Sequence, residues 1–451
     1  MSDRVGGTGF KWNTLNAFSN YYNSAAAGPP FTFDTTRLLS DTQQRSLKYL
    51  MKPGFWVQER VTDTEHARVT KGGVSSLLWL AEGYPDVAAY PLFGLLEGPG
   101  DNHDPESTSG GGFYVAGVGI DMNGKLQMYD YQSAQGSPGD TAVGTDPIIL
   151  DCIAIRTGGG PTVWNWDIWG RAREYDTGNQ IGSLVGPISI TNAWDYVRAY
   201  GFGAPNFSGS ANTRHCWFGD ALYTYDVSLD GGNPDTAAYG EVPRIPQILI
   251  PASPAGTDAE FTVHTPAGGN RWDKVNEDTP DNFTTYVQPP DDASIPNNSY
   301  GPRRFQSFKH GVSIGAADAV YGLTLRTNFY HPAPSGADIG AYFRHSGTRY
   351  IGETDVEGLN WDSGLYNFWT SFPNAHDCVP ATGAHQITTG SNLNAAEIGG
   401  FGKIYKQVIF GFTIYNKPYF SSTRGVAWSE GIPTPVEPPA PSGRRRLAQV
   451  V

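Results

Sequence analysis

Strand-length segments separated by turn-forming residues run through most of this chain and constrain its fold more than any other feature. Within residues 162–168, tryptophan and isoleucine side chains fall on one face, whereas Asn165 and Asp167 fall on the other. A period of two residues is that of a strand with one buried face. The 56 glycines and 33 prolines among 451 residues exceed the usual share of roughly 12%. We therefore predict a mainly β fold with many turns and few long helices.

Other segments repeat this signal. Residues 147–156 include the run 148–155, which is apolar on both faces apart from Asp151 and predicts a strand covered on both sides. Residues 321–329 alternate as a half-buried strand does, and residues 339–344 repeat the pattern. Residues 403–415 predict one late strand that closes the second domain, with these side chains on a single face: Ile404, Val408, Phe410, Phe412 and Ile414.

Turn clusters and composition divide the chain into four parts. We predict an extended N-terminal arm over residues 1–40 and a first β-sandwich over residues 41–235. A second, also jelly-roll-like, sandwich is expected over residues 236–428. Residues 429–451 form a proline-rich tail, whose PTPVEPPAP run favours polyproline II. Extended segments can wrap neighbouring subunits, and we assign that contact to Phe10, Trp12, Phe18, Tyr21, Pro435 and Arg444.

Charge and cysteine content exclude several functional classes. The net charge of −13 opposes binding to phosphate backbones and anionic lipid surfaces, so we expect no nucleic acid partner. No stretch approaches the ~18 apolar residues of a membrane span, and the N-terminus shows no secretory signal. The odd count of three cysteines excludes a fully paired disulfide framework and predicts buried thiols in a reducing cytoplasm.

An acidic stretch over residues 272–287 is a candidate metal site. Its carboxylates include Asp278 and Asp281, and hard oxygen donors suit calcium. The spacing is not that of a helical calcium-binding loop, so a solvated turn is the alternative. The histidines show no paired metal spacing, and no motif indicates a cofactor, so we expect none.

Tryptophans are the candidate carbohydrate-binding residues. Trp164, Trp166 and Trp169 lie close to amide and carboxylate side chains, a combination that can stack on sugar rings and bind their hydroxyls. The alternative is that these rings belong to the sandwich core. Acidic residues of the glycine-rich segment at residues 101–106 could form a glycosidase pair, which needs two carboxyls at a set separation.

A set of short motifs in the second half carries a family resemblance. They are ILIP at residues 248–251, FTV at 261–263, WDKVNE at 272–277, DNFTTYV at 281–287, AVYGL at 319–323, YNFW at 366–369 and NAAEIG at 394–399. In combination they resemble the second half of virion structural proteins from tailed bacteriophages and gene transfer agents. The resemblance covers residues 248–415 and departs from the family pattern at residues 376–385. The first domain resembles a laminin-G or concanavalin A-like sandwich.

The resemblance implies a structural role in a phage-like particle, as a tail, baseplate, fibre or head-surface protein without enzymatic activity. The implied partners are further copies of itself, in a homo-oligomer such as a trimer, and other virion proteins. The implied location is the virion, after synthesis in the host bacterial cytoplasm. Two alternatives stay open: a receptor protein that binds host cell-surface polysaccharide during attachment, and a virion-borne enzyme that degrades polysaccharide.

Overall fold

The structure is a computed structural model that confirms the mainly β prediction. It describes residues 5–8, 20–22, 30–39, 45–60, 70–87, 90–97, 113–131, 133–160, 162–175, 179–193, 196–197, 199–204, 207–225, 229–230, 233–234, 245–276, 284–332, 339–351, 366–372 and 389–429.

Two antiparallel sheets build the first sandwich. Its strands β1 to β15 are, in order, Val5–Thr8, Asn20–Tyr22, Phe31–Asp34, Ser46–Leu50, Trp56–Arg60, Lys71–Trp79, Phe93–Glu97, Phe113–Ile120, Leu126–Tyr129, Ala134–Gln135, Ile148–Gly160, Val163–Glu174, Gln180–Asn192, Ala199–Gly203 and His215–Tyr225. Sheet A has the order β13-β12-β11-β6-β15-β4-β3, with β1 paired to β15. Sheet B has the order β10-β9-β8-β7-β14-β5-β2. Strands β1, β2 and β3 lie in the segment predicted as an extended arm.

The core of this sandwich lies between the two sheets. On β11, Leu150 and Cys152 belong to that core, whereas Ile153 lies on the opposite face of sheet A and is also buried. The strand predicted from residues 147–156 to be covered on both sides is therefore confirmed. Cys152 and Cys216 are buried free thiols, as expected, and Cys378 lies outside the described residues.

Asp151, the charged residue within the apolar run of β11, is hydrogen-bonded by two arginines. The Asp151 carboxylate, with no exposed surface, accepts bonds from Arg171 Nε at 2.8 Å and Arg173 Nε at 2.8 Å. Ser75 Oγ donates a further bond at 2.5 Å. Burial opposes ionisation of Asp151, but Arg173 and Arg171 outweigh it and lower its pKa to about 2. Asp151 therefore remains a carboxylate inside the fold.

Two further sheets build the second sandwich. Strands β16 to β29 are Leu229–Asp230, Asn233–Pro234, Ile245–Leu249, Pro251–Ala259, Val263–Thr265, Tyr286–Gln288, Ser299–His310, Val320–Tyr330, Gly340–His345, Thr348–Ile351, Tyr366–Phe372, Glu397–Ile409, Phe412–Asn416 and Tyr419–Ser429. Strands β16 and β17 form a separate pair. Sheet C has the order β20-β21-β29-β23-β26, with β18 beside β29. Sheet D has the order β19-β22-β27-β24-β25, with β28 beside β27. A 3-10 turn, Trp272–Lys274, and the short helix α1, Gly390–Ala395, complete the described elements.

Side chains from sheets C and D meet in the second core. Leu325 of sheet C belongs to one buried cluster with Phe343 and Ile398 of sheet D. A neighbouring cluster joins Phe308 of sheet D to Phe420 of sheet C. The strand predicted over residues 321–329 is confirmed as β23.

The prediction of one strand over residues 403–415 is wrong. Strands β27 and β28 form a hairpin here, joined by Phe410 and Gly411. Both turn residues have positive φ, 50° and 82°, which is the backbone of a tight two-residue hairpin turn. The turn removes Phe410 from the predicted apolar face, and its side chain is 96% exposed.

Candidate functional site

The candidate site lies on the face of sheet D that points away from the second core. Directly paired residues of neighbouring strands point to the same side of a sheet. The register therefore aligns one row of side chains across four strands, and this row contains Lys309, Glu397, Arg344 and Arg349. Three of these four residues are cationic, and Lys309 and Arg349 are exposed.

The next rows carry aromatic rings covered by cations. Phe305 and Phe401 are directly paired, and both rings are buried in a cluster with Tyr342. The Arg349 guanidinium lies 4.0 Å from the centre of the Phe305 ring. The Arg303 guanidinium lies 4.9 Å from the centre of the Phe401 ring. Such cation–π contacts hold the guanidinium groups flat against this face.

A bulge in the edge strand β19 brings two further polar residues, Thr257 and Asp258, over this face. Ala255 pairs with Phe308 and Ala259 pairs with Gln306, so residues 256–258 stand opposite the single residue Ser307. The extra residues of such a bulge leave the ladder and redirect their side chains. A Cβ at Gly256 would lie only 2.4 Å from Glu397 Oε2, so glycine permits this close approach.

Asp258, at the end of the bulge, links the two edges of sheet D. Arg349 of the opposite edge strand donates to its carboxylate through Nε at 2.9 Å and a terminal nitrogen at 2.5 Å. Tyr342 Oη donates a third bond at 2.9 Å, and Arg344 Nε lies 3.7 Å away. Opposite edges of a flat five-stranded sheet would lie ~19 Å apart at a strand spacing of about 4.8 Å. The face is therefore concave, with Asp258 closing it.

Glu397 forms the second carboxylate of the site. Its oxygens accept bonds from the Thr257 backbone N–H at 2.8 Å, Thr257 Oγ1 at 2.9 Å and Ser307 Oγ at 2.6 Å. Ser307 Oγ also accepts a bond from the Asp258 backbone N–H at 3.2 Å. The bulge is thus fastened to the sheet by the carboxylate that lies beneath it.

The environment fixes the protonation states of three groups. Burial opposes ionisation of Asp258, but bonds from Arg349 and Tyr342 outweigh it, and its pKa lies below the ordinary value. The bonds to Asp258 raise the pKa of Arg349 despite the opposing effect of burial. Burial, with the nearby Asp258 charge, raises the pKa of Tyr342 well above its ordinary value. At neutral pH the site holds an ionised aspartate, a charged arginine and a neutral tyrosine.

We call the outward side of sheet D the charged face. Among the described residues it comprises five cations, Arg303, Lys309, Arg344, Arg349 and Lys403, and two carboxylates, Asp258 and Glu397. The whole chain carries a net charge of −13. A locally cationic face on an acidic chain attracts anionic groups, and arginine forks bind carboxylates with two parallel bonds, as Arg349 binds Asp258.

Two of the three tryptophans predicted to bind glycan are in the interior, which corrects that prediction. Trp166 lies in the core between sheets A and B with 0% of its surface exposed. Trp169 packs against Ile153 on the other face of sheet A and is 1% exposed. Both rings are inaccessible because β12 is an inner strand, covered here on both faces. Trp164 is half-buried, and the Arg156 guanidinium lies 4.5 Å from its ring centre.

The remaining predicted site residues, together with the acidic segment at residues 101–106, lie outside the described residues except for Tyr21. Asp278 and Asp281 of the candidate metal loop lie outside the described residues, as do Phe10, Trp12, Phe18, Pro435 and Arg444. Tyr21 lies in β2, whose backbone pairs with β5. Within the described part of the chain, no three histidine, cysteine, aspartate or glutamate side chains cluster as metal ligands. Nor does any described helix have the length and apolarity needed to cross a membrane.

Sequence reasoning missed the charged face. The alternation of residues 339–344 indicated a strand, confirmed as β24, and the structure places Arg344 on its outward side. No local pattern indicated that Asp258 would meet Arg349, because these residues are 91 positions apart and the bulge that contains Asp258 breaks the strand period.

Comparisons with known proteins give distant matches only. No family model and no curated protein matches the chain. A Trypanosoma rangeli sialidase is similar at TM-score 0.26 and 12% identity, over 45% of this chain and 28% of the sialidase. The PL-14 alginate lyase of Aplysia kurodai is similar at TM-score 0.34 and 12% identity, over 50% of this chain and 99% of the lyase. An arabinofuranosidase is similar at TM-score 0.28 and 15% identity, over 62% of this chain and 57% of the enzyme.

These matches contradict one expectation. We expected no enzymatic activity, yet the solved structures named above are all carbohydrate-active enzymes. The chain spans only 28% of the sialidase, and at such TM-scores no similarity assigns a reaction to this protein.

Proposed function

We propose that the protein acts on an acidic polysaccharide. The cations of the charged face would bind the carboxylates of the polymer. One observation carries this proposal: five cations and two carboxylates share one concave face of a chain whose net charge is −13. A local field of opposite sign to the whole molecule concentrates anionic ligands at that face.

The spacing of the cations supports a linear polyanion as the ligand. Lys309, Arg344 and Arg349 lie in one row that crosses β22, β27, β24 and β25. At a strand spacing of ~4.8 Å, Arg344 and Arg349 lie one spacing apart, and Lys309 lies two spacings from Arg344 with Glu397 between them. The cations therefore recur on the scale of one to two sugar rings. A polyuronate carries one carboxylate on each ring and can contact several of these cations together. Guanidinium groups favour planar carboxylates, although Nε and one terminal nitrogen of Arg349 already donate to Asp258.

Titration calorimetry with alginate, pectate and hyaluronan tests this proposal, with dextran as the neutral control. We expect at least one acidic polymer to bind and dextran not to bind. Lys309→Ala should weaken binding about tenfold, which corresponds to ~1.4 kcal/mol. Lys71→Ala removes an equally exposed lysine from the first sandwich and should leave the affinity unchanged.

Three outcomes would overturn the proposal: no acidic polymer binds, both lysine variants behave alike, or duplex DNA binds more tightly than every polyuronate. The release of new reducing ends from a bound polymer separates a polysaccharide-degrading enzyme from a glycan-binding protein. The structural virion role stays a prediction, and electron cryomicroscopy of particles that contain the protein would test it.

A further inference from the structure

The hairpin of β27 and β28 projects from sheet D and exposes apolar side chains. Phe410 is 96% exposed and Phe412 is 75% exposed, and Ile409 and Ile414 are also exposed. Residues 407–416 contain neither a charge nor a proline. We call these ten residues the apolar ribbon. A contiguous exposed apolar surface of this kind marks an interaction site on a soluble protein.

The turn of the apolar ribbon points to selection for interaction rather than for turn formation. Phe410 has a φ of 50°, in the left-handed region where glycine, asparagine and aspartate are the usual residues. A bulky aromatic residue is unfavourable in that conformation, and here it packs against almost nothing in its own chain. Observed backbone strain at an exposed residue is evidence for a functional role.

The outer edge of the apolar ribbon offers main-chain hydrogen bonds as well. Among the described strands, β28 pairs with β27 alone, so its second edge carries N–H and C=O groups without a strand partner. Natural edge strands are commonly protected from such pairing by charged residues, prolines or bulges. The apolar ribbon has no charge and no proline, so its edge is open to another strand.

We propose that the apolar ribbon is the contact through which two copies of this chain associate, edge to edge along β28. The ribbon is uncharged, so two copies meet there without the like-charge repulsion expected elsewhere on a chain of net charge −13. Antiparallel pairing of two β28 edges is self-complementary, as a two-fold interface requires. The rings of Phe410 and Phe412 are 96% and 75% exposed, so at ~200 Å² per fully exposed ring the four rings of a pair would contribute about 700 Å². A stable interface needs roughly 1,200 Å² in total, and the isoleucines and paired backbones add to the rings.

A lipid surface is a poorer occupant for two physical reasons. Insertion would carry the open edge of β28 into hydrocarbon, where its backbone groups would find no partners. The flanking lysines are also engaged within the chain: Lys406 Nζ donates to the carbonyls of Ala293 and Ile295, and Lys417 Nζ lies 2.8 Å from Asp291. These lysines are therefore not directed towards lipid headgroups.

Sedimentation velocity of the full chain at micromolar concentrations tests the proposal. We expect the wild type to sediment as a dimer, and Phe412→Lys and Phe410→Lys to sediment as monomers with unchanged circular dichroism. Met122→Lys places the same charge at a 56% exposed apolar residue of the first sandwich and should stay dimeric. A monomeric wild type, or a dimer that survives both phenylalanine substitutions, would overturn the proposal. So would flotation of the protein with phosphatidylcholine vesicles that depends on Phe410.

Discussion

Asp258→Asn tests whether the carboxylate at the end of the bulge holds the two edges of sheet D together. The substitution removes the charge from a two-pronged contact with Arg349 and weakens acceptance from Tyr342. Hydrogen bonds to a charged group contribute about 1.5–3 kcal/mol each. The Arg349 side chain is 41% exposed, and solvent screening reduces its share. We expect the free energy of unfolding to fall by about 2 kcal/mol in total.

Equilibrium unfolding in urea, followed by tryptophan fluorescence, measures this loss. Asp291→Asn is the matched control, because Asp291 forms a 2.8 Å pair with Lys417 but its side chain is 62% exposed. An exposed pair contributes less than about 1 kcal/mol, so the control should be nearly neutral. A loss in Asp258→Asn no larger than that of the control would refute the role assigned to Asp258.

The effect of Asp258→Asn on stability should depend on pH. The folded-state pKa of Asp258 lies below the ordinary carboxyl value of 3.8. A carboxyl with a lowered folded pKa stabilises the fold above its unfolded pKa, and that contribution is lost as pH falls through the folded pKa. The stability difference between wild type and Asp258→Asn should therefore be constant near neutral pH and shrink below about pH 3.8. A difference that persists unchanged in acid would contradict the assignment.

Three further predictions concern packing and buried charge. Asp151→Ala leaves two buried arginines without their shared carboxylate and should cost about 3–5 kcal/mol, measured as a lower urea midpoint or loss of soluble protein. Gly94→Ala would place a Cβ 2.3 Å from the Ala116 carbonyl oxygen and should cost about 1–3 kcal/mol; Gly158→Ala has 3.9 Å of space and should be nearly neutral by the same assay. Burial lowers the pKa of His310 from 6.5 to about 4. The free energy of unfolding should therefore decrease as pH falls from 6.5 to 4, by up to about 3 kcal/mol at ~1.4 kcal/mol per pKa unit. His310→Gln should reduce this dependence on pH.

Much of the fold could be predicted from local pattern. The two-sided apolar run around Asp151 gave the inner strand β11, and alternation gave β23 and β24. Two interpretations failed for identifiable reasons. Alternation over residues 403–415 did not show the turn at Phe410, because apolar residues continue at even-numbered positions through the turn. The pairing of Val408 with Thr413 nevertheless places Phe412 and Ile414 on the other side of the hairpin from Val408. The period of β12 gave no sign that Trp169 would be covered, since coverage depends on what packs against that face.

The candidate site could be predicted only in part. Sequence placed Arg344 in a predicted strand, but it did not identify Asp258 or Glu397 as its neighbours. Asp258 and Glu397 come close to the arginines for two reasons. The bulge sets residues 256–258 opposite the single residue Ser307, and the curvature of sheet D brings β19 and β25 together.

The sequence by itself determined the class of fold and the position of several strands, because the period of side chains along a strand is a local property of the chain. It also determined the overall acidity that makes a cationic face unusual in this protein. Tertiary structure alone decided which tryptophans are buried, where the five cations gather and which strand edge remains open. These outcomes depend on register, bulges and sheet curvature, which are set by contacts between residues far apart in the chain.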